Sequence, residues 1–344
     1  MKVVVLAGGL SPERDVSLSS GALIANALIE KGHSVFLLDL LIGTDKKFEE
    51  LSFLTKDAID RYEYIIPLEE PNLIKLHQKY PDQIGKGVLS ICKQADVVFI
   101  ALHGSIGENG QLQSIFEMQS IKYTGSSYFG CMLAMDKDIS KKIATIEGIS
   151  TAKWKTYSLS EVNFDTIKRE TKIPCVVKPL SCGSSIGISI VETGEELLNA
   201  LRVAKKYENS ILIEDMIKGR EVSCGIVGDK ALPIIEIIPK SGFYDYKNKY
   251  QKGLSNEICP AEIDRSIEKT IQAFSYKMHK ALRLGYYSRS DFIIRDNEEI
   301  VYLETNTLPG MTPTSLLPQE ARVSGITYNE LCNQIVHHAI KIEG

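Results

Sequence analysis

The sequence predicts a chain of mixed α/β and α+β class: an open sheet of parallel strands at the N-terminus, then two further domains. Three observations lead there. A strand, a glycine-rich turn, a helix and a second strand fill the first 40 of its residues, the order of a parallel βαβ unit. Paired strand signals joined by short polar stretches recur in the second half, as antiparallel hairpins do. The length, 344 residues, suits two or three domains of roughly 150 residues each. The expected divisions are 1–122, 123–214 and 215–344.

The elements follow in order. KVVVLA (2–7) is the first strand, GGLSPERDVS the turn after it, and SVFLLDL (34–40) the second strand. Between them Ile24, Ala27, Leu28 and Lys31 recur at the spacing of a helix. The charged stretch from Thr44 to Lys93 offers no functional reading. DVVFIAL (96–102) repeats the strand signal and leads into HGSIGENG and a helix near 111–119. YTGSS and a helix through MDKDISKKIA open the second part. There IPCVVK (173–178) and GISIV (187–191) flank PLSCGSSI as a hairpin with a Gly/Ser-rich tip. ILIEDMI (211–217) begins the third part, followed by the loop GFYDYKNKYQKG. A helix at about 261–284 carries Ile267, Ile271, Phe274 and Met278 on one stripe. A final hairpin and a helix at about 327–342 close the chain.

Composition narrows the function classes. Hydrophobic content of 44% and charged content of 24% describe a globular protein rather than a disordered or fibrous one. A net charge of -4 gives no general attraction to nucleic acid or acidic membranes, so a polyanion here must be met by a few placed cations. The seven cysteines are scattered and form no CxxC pair, against both a disulfide framework and a zinc site. The N-terminal apolar run stops at Gly8-Gly9, too short for a signal peptide, and no run reaches the ~18 residues of a membrane span. The expectation is a soluble protein of the reducing cytoplasm.

The last hairpin, YSRSDFIIR-DNEE-IVYLETN, carries the strongest chemical signal. A two-residue turn centred on Asn297 and Glu298 sets residue 291 opposite 304 and 289 opposite 306. Opposed residues, and residues two apart, share a face. Arg289, Asp291, Glu304 and Asn306 then converge, while Phe292, Ile294, Val301 and Leu303 point to the core. Carboxylate and amide oxygens at that spacing suit Mg²⁺ carrying a polyphosphate, the metal compensating the repulsion of the two acids. A solvated polar strand face is the competing reading, and a slip of one residue would separate the acids.

Weaker motifs accompany it. In KPLSCGSSIG (178–187) backbone N–H groups and hydroxyls can wrap phosphate, with Lys178 as a point charge, although no Walker GK[ST] follows. Glu214 and Glu221 in ILIEDMIKGREVS can accept from adenine or ribose. GGLSPERDVSLSSG lacks GxGxxG, which disfavours a dinucleotide site; Glu13 and Arg14 there can hold an ammonium or carboxylate. GFYDYKNKY reads as an aromatic, cationic lid.

In this order the motifs resemble the ATP-grasp superfamily, and within it the D-alanine–D-alanine ligases. The likeness covers nearly the whole chain: GGLSPERDVSLSSG, HGSIGENGQLQ, YTGSS before MDK, VVKPLSCGSSIGIS, EDMIKGREV, FYDYKNKY and LETNTLPGMTPTSLLPQEA. The resemblance implies an ATP-grasp fold whose second and third domains clamp ATP. It implies Lys137 and Lys178 at the ATP phosphates, and Glu214, Ile217 and Glu221 at adenine and ribose. Asp291, Glu304 and Asn306 would hold two Mg²⁺ (or Mn²⁺). Glu13, Ser184 and Tyr250 match a hydrogen-bonded trio beside the first D-alanine. Ser315, Lys249 and His103 fall among the substrate-binding positions, and Arg289 with the N–H of Gly310 stabilises an oxyanion. The implied reaction joins two D-alanines through an acyl phosphate for peptidoglycan precursors, with loops 181–187 and 242–253 as lids, in a homodimer that binds neither nucleic acid nor membrane. Tyr250 favours an amine as second substrate, leaving D-serine open. A nucleotide-binding module without catalysis is the alternative of a different class. The chain departs from the family pattern at LSCG, Asp215 and Asn109.

Overall fold

A computed structural model describes residues 1–67, 69–183, 186–239 and 255–341. Strands β1 (Lys2–Ala7), β2 (Ser34–Asp39) and β3 (Val97–Ile100) form a parallel sheet in the order β2-β1-β3. Val3 to Ala7 are wholly buried, because a parallel sheet is covered on both faces. Helix α1 (Arg14–Glu30) begins inside the segment expected as a turn. It lies close on β1, and a Cβ at Gly21 would sit 2.7 Å from that of Ala7. The stretch without a functional reading holds a single turn at Phe48–Glu50 and helices α2 (Leu73–Lys79) and α3 (Val88–Gln94). After β3 come α4 (Ser105–Glu108), α5 (Gln111–Met118), α6 (Tyr128–Met135) and α7 (Lys137–Ile146).

The second sheet is antiparallel. Strands β4 (Trp154–Ser158), β5 (Cys175–Pro179), β6 (Ser189–Val191) and β7 (Ser210–Asp215) lie in the order β4-β7-β5-β6, with α8 (Phe164–Glu170) and α9 (Gly194–Lys205) between them in sequence. The side chains of Thr193 and Glu196 cap α9 reciprocally, satisfying N–H groups that the first turn leaves unpaired. The expected hairpin at 173–191 is present as β5–β6.

The third sheet takes β8 (Arg220–Val227), the short β9 (Lys230–Ala231), β10 (Ile235–Pro239), β11 (Ser255–Ile258), β12 (Tyr287–Ile294) and β13 (Ile300–Asn306). Its order is β11-β10-β8-β12-β13, with β9 against β8. Helix α10 (Arg265–Ala281) packs Ile271 and Met278 into the core, with Ile267 and Phe274 at its margin. Helices α11 (Leu316–Val323) and α12 (Tyr328–Lys341) end the described chain.

The cores do not follow chain order. Leu331, Cys332, Ile335 and Val336 of α12 complete the core of the N-terminal sheet. Ala134 and Ala144 of α6 and α7 share a core with Val222, Phe292 and Tyr302 of the third sheet. The second sheet has its own core, including Tyr157, Val177, Leu197 and Ile211. Segment 150–154 passes from one sheet to the next: the N–H of Tyr302 donates to the Ser150 carbonyl at 2.8 Å, and that of Asp215 to the Lys153 carbonyl at 2.9 Å. Among the described residues no helix is long and apolar enough to cross a membrane.

Candidate active site

At the site end of the β12–β13 hairpin, Arg289 pairs with Asn306 and Asp291 with Glu304, as the sequence suggests. The reason differs. The N–H of Glu298 donates to the Arg295 carbonyl at 2.8 Å, that of Arg295 to the Glu299 carbonyl at 2.9 Å, and Glu298 has φ +65°. This is a three-residue loop ending in a left-handed residue, not a two-residue turn. It displaces the pairing by one, so that Phe292 faces Tyr302 and Ile294 faces Ile300. A β-bulge with Leu303 as the extra residue then restores the register.

The bulge re-aims two consecutive side chains. Leu303 and Glu304 both line one cleft with Asp291 and Ile293. The expectation that Val301 and Leu303 share the core with Phe292 and Ile294 is therefore corrected: Ile300 and Tyr302 occupy those places. Val301 is buried opposite Ile293.

Asp291 is 6% exposed. It accepts from Arg289 Nε at 2.9 Å and Nη2 at 2.8 Å, from Ser223 Oγ at 2.6 Å and from Asn306 Nδ2 at 3.1 Å. Lys137 Nζ lies 3.8 Å from Glu304 Oε2. Cations of the chain itself thus offset the repulsion that the sequence reading assigned to a metal. The donor set still fits one. Two carboxylates and a carboxamide are a partial oxygen shell, and Mg²⁺ characteristically completes such a shell with phosphate oxygens and water. No group of three or more His, Cys, Asp or Glu suited to a metal occurs among the described residues.

The cleft behind Asp291 and Glu304 has a volume of 570 Å³. Lys178, Glu214, Ile217 and Glu221 line it, with Ile188 and Ile190 as apolar wall. Glu214, 5% exposed, takes Lys178 Nζ on one oxygen at 2.5 Å and Lys141 Nζ on the other at 2.8 Å. Burial alone would raise its pKa, but the two lysines outweigh it and hold the carboxyl at about 2. Glu214 therefore serves the lysines as well as any ligand. Sequence reasoning missed Lys141, although its i, i+4 spacing from Lys137 places both on one helix face.

A second cleft, of 410 Å³, is lined by Glu13, His103, Arg289, Asn306, Gly310 and Ser315. Glu13 is the residue before α1 and is 2% exposed. Arg14 does not join it: its Nη1 donates to the Gly9 carbonyl at 2.9 Å and its guanidinium pairs with Asp39. Burial lowers the pKa of His103, whose Nε2 lies 3.4 Å from Ser20 Oγ. Ser315 precedes α11 and its Oγ accepts from the Thr312 N–H at 3.1 Å. A Cβ at Gly310 would come within 2.9 Å of that oxygen, so a glycine lets the loop approach.

Glu108 is the other residue that sequence reasoning passed over. It lines this cleft and accepts from the Gly104 N–H at 2.9 Å. Burial, helped by the charge of Glu13, pushes its carboxyl up to about 8. A carboxylate in HGSIGENG, at the C-terminal end of a parallel strand, was the available signal.

A gap of 20 Å³ lies between the clefts, sharing Glu108 and Asn306 with one and Glu304 with the other, and Lys137 lines it. Lys137 Nζ donates there to the Cys182 carbonyl at 2.6 Å. Every described residue of the expected site thus borders one continuous region. Ser184, Lys249 and Tyr250, with most of the expected lids, lie outside the described residues.

Comparison with known proteins gives concordant matches. Residues 2–126 match the family model described as D-ala D-ala ligase N-terminus, and residues 141–337 that described as D-ala D-ala ligase C-terminus. The D-alanine–D-alanine ligase of Pediococcus pentosaceus is 40% identical, over 98% of this chain and 97% of its own. That of Aquifex aeolicus is 39% identical, over 98% of this chain and 100% of its own. Among solved structures, the Bacillus anthracis D-alanine–D-alanine ligase complexed with ATP superposes with a TM-score of 0.76 at 29% identity, covering 99% and 98% of the two chains. The VanG D-Ala:D-Ser ligase from Enterococcus faecalis gives 0.75 at 28% identity, covering 98% and 99%.

Proposed function

The chain belongs to the D-alanine–D-alanine ligase family, whose members are ATP-dependent ligases, and from that premise we propose that it joins two D-alanines into the dipeptide of peptidoglycan precursors. One observation carries the reading. The β12–β13 hairpin ends between the two clefts, Arg289 and Asn306 facing one and Asp291 and Glu304 the other. A nucleotide in the larger cleft and an amino acid in the smaller would meet there.

The larger cleft offers Ile188, Ile190, Ile217 and Leu303 to a planar base, and Glu221 to ribose hydroxyls. Lys178 and Lys137 would attract the phosphates. Asp291, Glu304 and Asn306 would hold the divalent cations, which when bound neutralise phosphate charge. The first D-alanine would set its carboxylate toward the γ-phosphate, with Glu13 to hold its ammonium. Attack by a carboxylate oxygen breaks the bond to the β-phosphate oxygen, leaving ADP and an acyl phosphate. The second D-alanine, its carboxylate near Ser315 and its amine deprotonated, attacks the acyl carbon, and inorganic phosphate departs. Arg289 and the Gly310 N–H would receive the oxyanion of that step. The walls of the clefts would shield the acyl phosphate from water.

The test is product formation by the purified chain with ATP and Mg²⁺. D-alanine should yield ADP, phosphate and D-alanyl-D-alanine, and Arg289→Ala should lower turnover by about a hundredfold, the usual scale for losing an oxyanion donor. Product only when D-serine or D-lactate accompanies D-alanine would refute the proposed acceptor. A homodimer is also proposed: Met118, Tyr128, Phe129 and Met132 are exposed on α5 and α6, an apolar group suited to a second copy. Sedimentation should give twice the 38.3 kDa of the chain; monomer mass at micromolar concentration would refute it.

A further inference from the structure

Lys141 is 1% exposed, and no step above uses it. Its ammonium holds three groups from separate parts of the fold. It lies 2.8 Å from Glu214 Oε2 on β7 of the second sheet. It donates to Thr151 Oγ at 2.6 Å, and Thr151 Oγ in turn donates to the Tyr302 carbonyl on β13 of the third sheet at 3.0 Å. It also lies 5.4 Å from the centre of the Trp154 ring on β4, within range of a cation–π contact.

Thr151 and Tyr302 form the isolated parallel bridge that joins segment 150–154 to the edge of the third sheet. Lys141 therefore stands where the two sheets of the larger cleft meet. Two residues beyond Tyr302 along β13 is Glu304, and across the Glu214 carboxylate is Lys178. One ammonium is thus linked to both sheets that border the cleft, to Glu214 directly and to β13 through Thr151.

We propose that Lys141 is a positioning residue for the nucleotide: it ties the Glu214–Lys178 pair of one sheet to β13 of the other, fixing the distance between base-side and phosphate-side contacts. This rests on the nucleotide reading of the larger cleft. The chemistry favours a specific role over simple packing. A buried lysine loses hydration that only matched partners restore, and a buried ionic network can often be replaced as a whole by apolar side chains without loss of stability, so packing alone does not call for one here. Burial lowers the pKa of Lys141 and Glu214 opposes that shift. With Lys141 on one oxygen, Glu214 cannot swing toward Lys178 alone, so Lys178 keeps its place on the cleft wall.

The experiment measures binding of a non-hydrolysable ATP analogue with Mg²⁺ by calorimetry, and separately the KM for D-alanine. Lys141→Met should weaken nucleotide binding by about tenfold, the scale of leaving a buried group without its partner, with the D-alanine KM within twofold of wild type. Lys141→Arg should recover part of the loss. Thr151→Val, which removes one anchor and no charge, should weaken binding in the same direction by a smaller factor. In a cycle with Glu214→Gln the two losses should be less than multiplicative, because both break one link. Unchanged nucleotide affinity in folded Lys141→Met, or an equal rise in the D-alanine KM, overturns the proposal. If Lys141→Met does not fold, unchanged affinity in Thr151→Val overturns it. Wild-type protein that binds the nucleotide but makes no dipeptide counts against the proposed reaction alone; failure to bind nucleotide at all overturns both.

Discussion

Glu214 is held at about 2 because Lys178 and Lys141 each occupy one of its oxygens, whereas Glu108, half-buried and near the charge of Glu13, is pushed up to about 8 by loss of solvent. The two have opposite consequences for pH. Glu214 adds stability that is full above its ordinary range near 4.5 and is lost as pH falls toward 2. Glu108 keeps its proton in the folded chain between 4.5 and 8 but loses it in the unfolded one. The folded state then binds more protons, so this group's contribution falls as pH rises through that window. Glu108→Gln should flatten that decline in denaturant titrations between pH 4.5 and 8; a variant that parallels wild type would show Glu108 to be an ordinary acid. Neither environment was legible beforehand. The residue types and their order show which acids are present. Their protonation depends on Lys141 and Glu13, which arrive from other segments.

The β12–β13 hairpin shows how an element can be read correctly at one end and wrongly at the other. The apolar runs in IVYLETN and DFII mark the two strands in the sequence, and a turn centred on Asn297 and Glu298 sets Asp291 opposite Glu304. The left-handed Glu298 and the extra residue at Leu303 were not legible, because a bulge leaves composition unchanged and its effect cancels that of the longer loop. Helix α1 was similarly misjudged at its start, where Gly8-Gly9 and Pro12 resemble a loop but the helix begins at Arg14. The bulge makes a prediction. Deleting Leu303 removes the extra residue yet leaves Glu304 next after Tyr302, still opposite Asp291 and on the cleft face. Circular dichroism should report a folded chain, and ligation should persist far above that of Glu304→Ala, which removes the carboxylate itself. A loss from the deletion as large as that from Glu304→Ala would show that the bulge is needed to aim Glu304.

At the scale of the molecule, three sheets leave two clefts, and the N-terminal core takes in Val227 and Tyr287 of the third sheet as well as the returning α12. The open parallel sheet, the two antiparallel parts and the family resemblance were accessible from strand and turn signals. The packing of α6 and α7 on the third sheet was not, since an amphipathic helix does not specify which core receives it. That packing brings Lys137 to Glu304 and Lys141 to Glu214, so the assembly of the site depends on long-range contacts. The central claim is that phosphoryl and acyl transfer occur where the hairpin separates the clefts. Steady-state ligation of D-alanine by Glu304→Ala, beside its affinity for an ATP analogue, tests this most directly. Turnover should fall by about three orders of magnitude, on the scale of losing a charge-stabilising contact to the transferring phosphoryl group, while the analogue still binds. Turnover within threefold of wild type would contradict the claim.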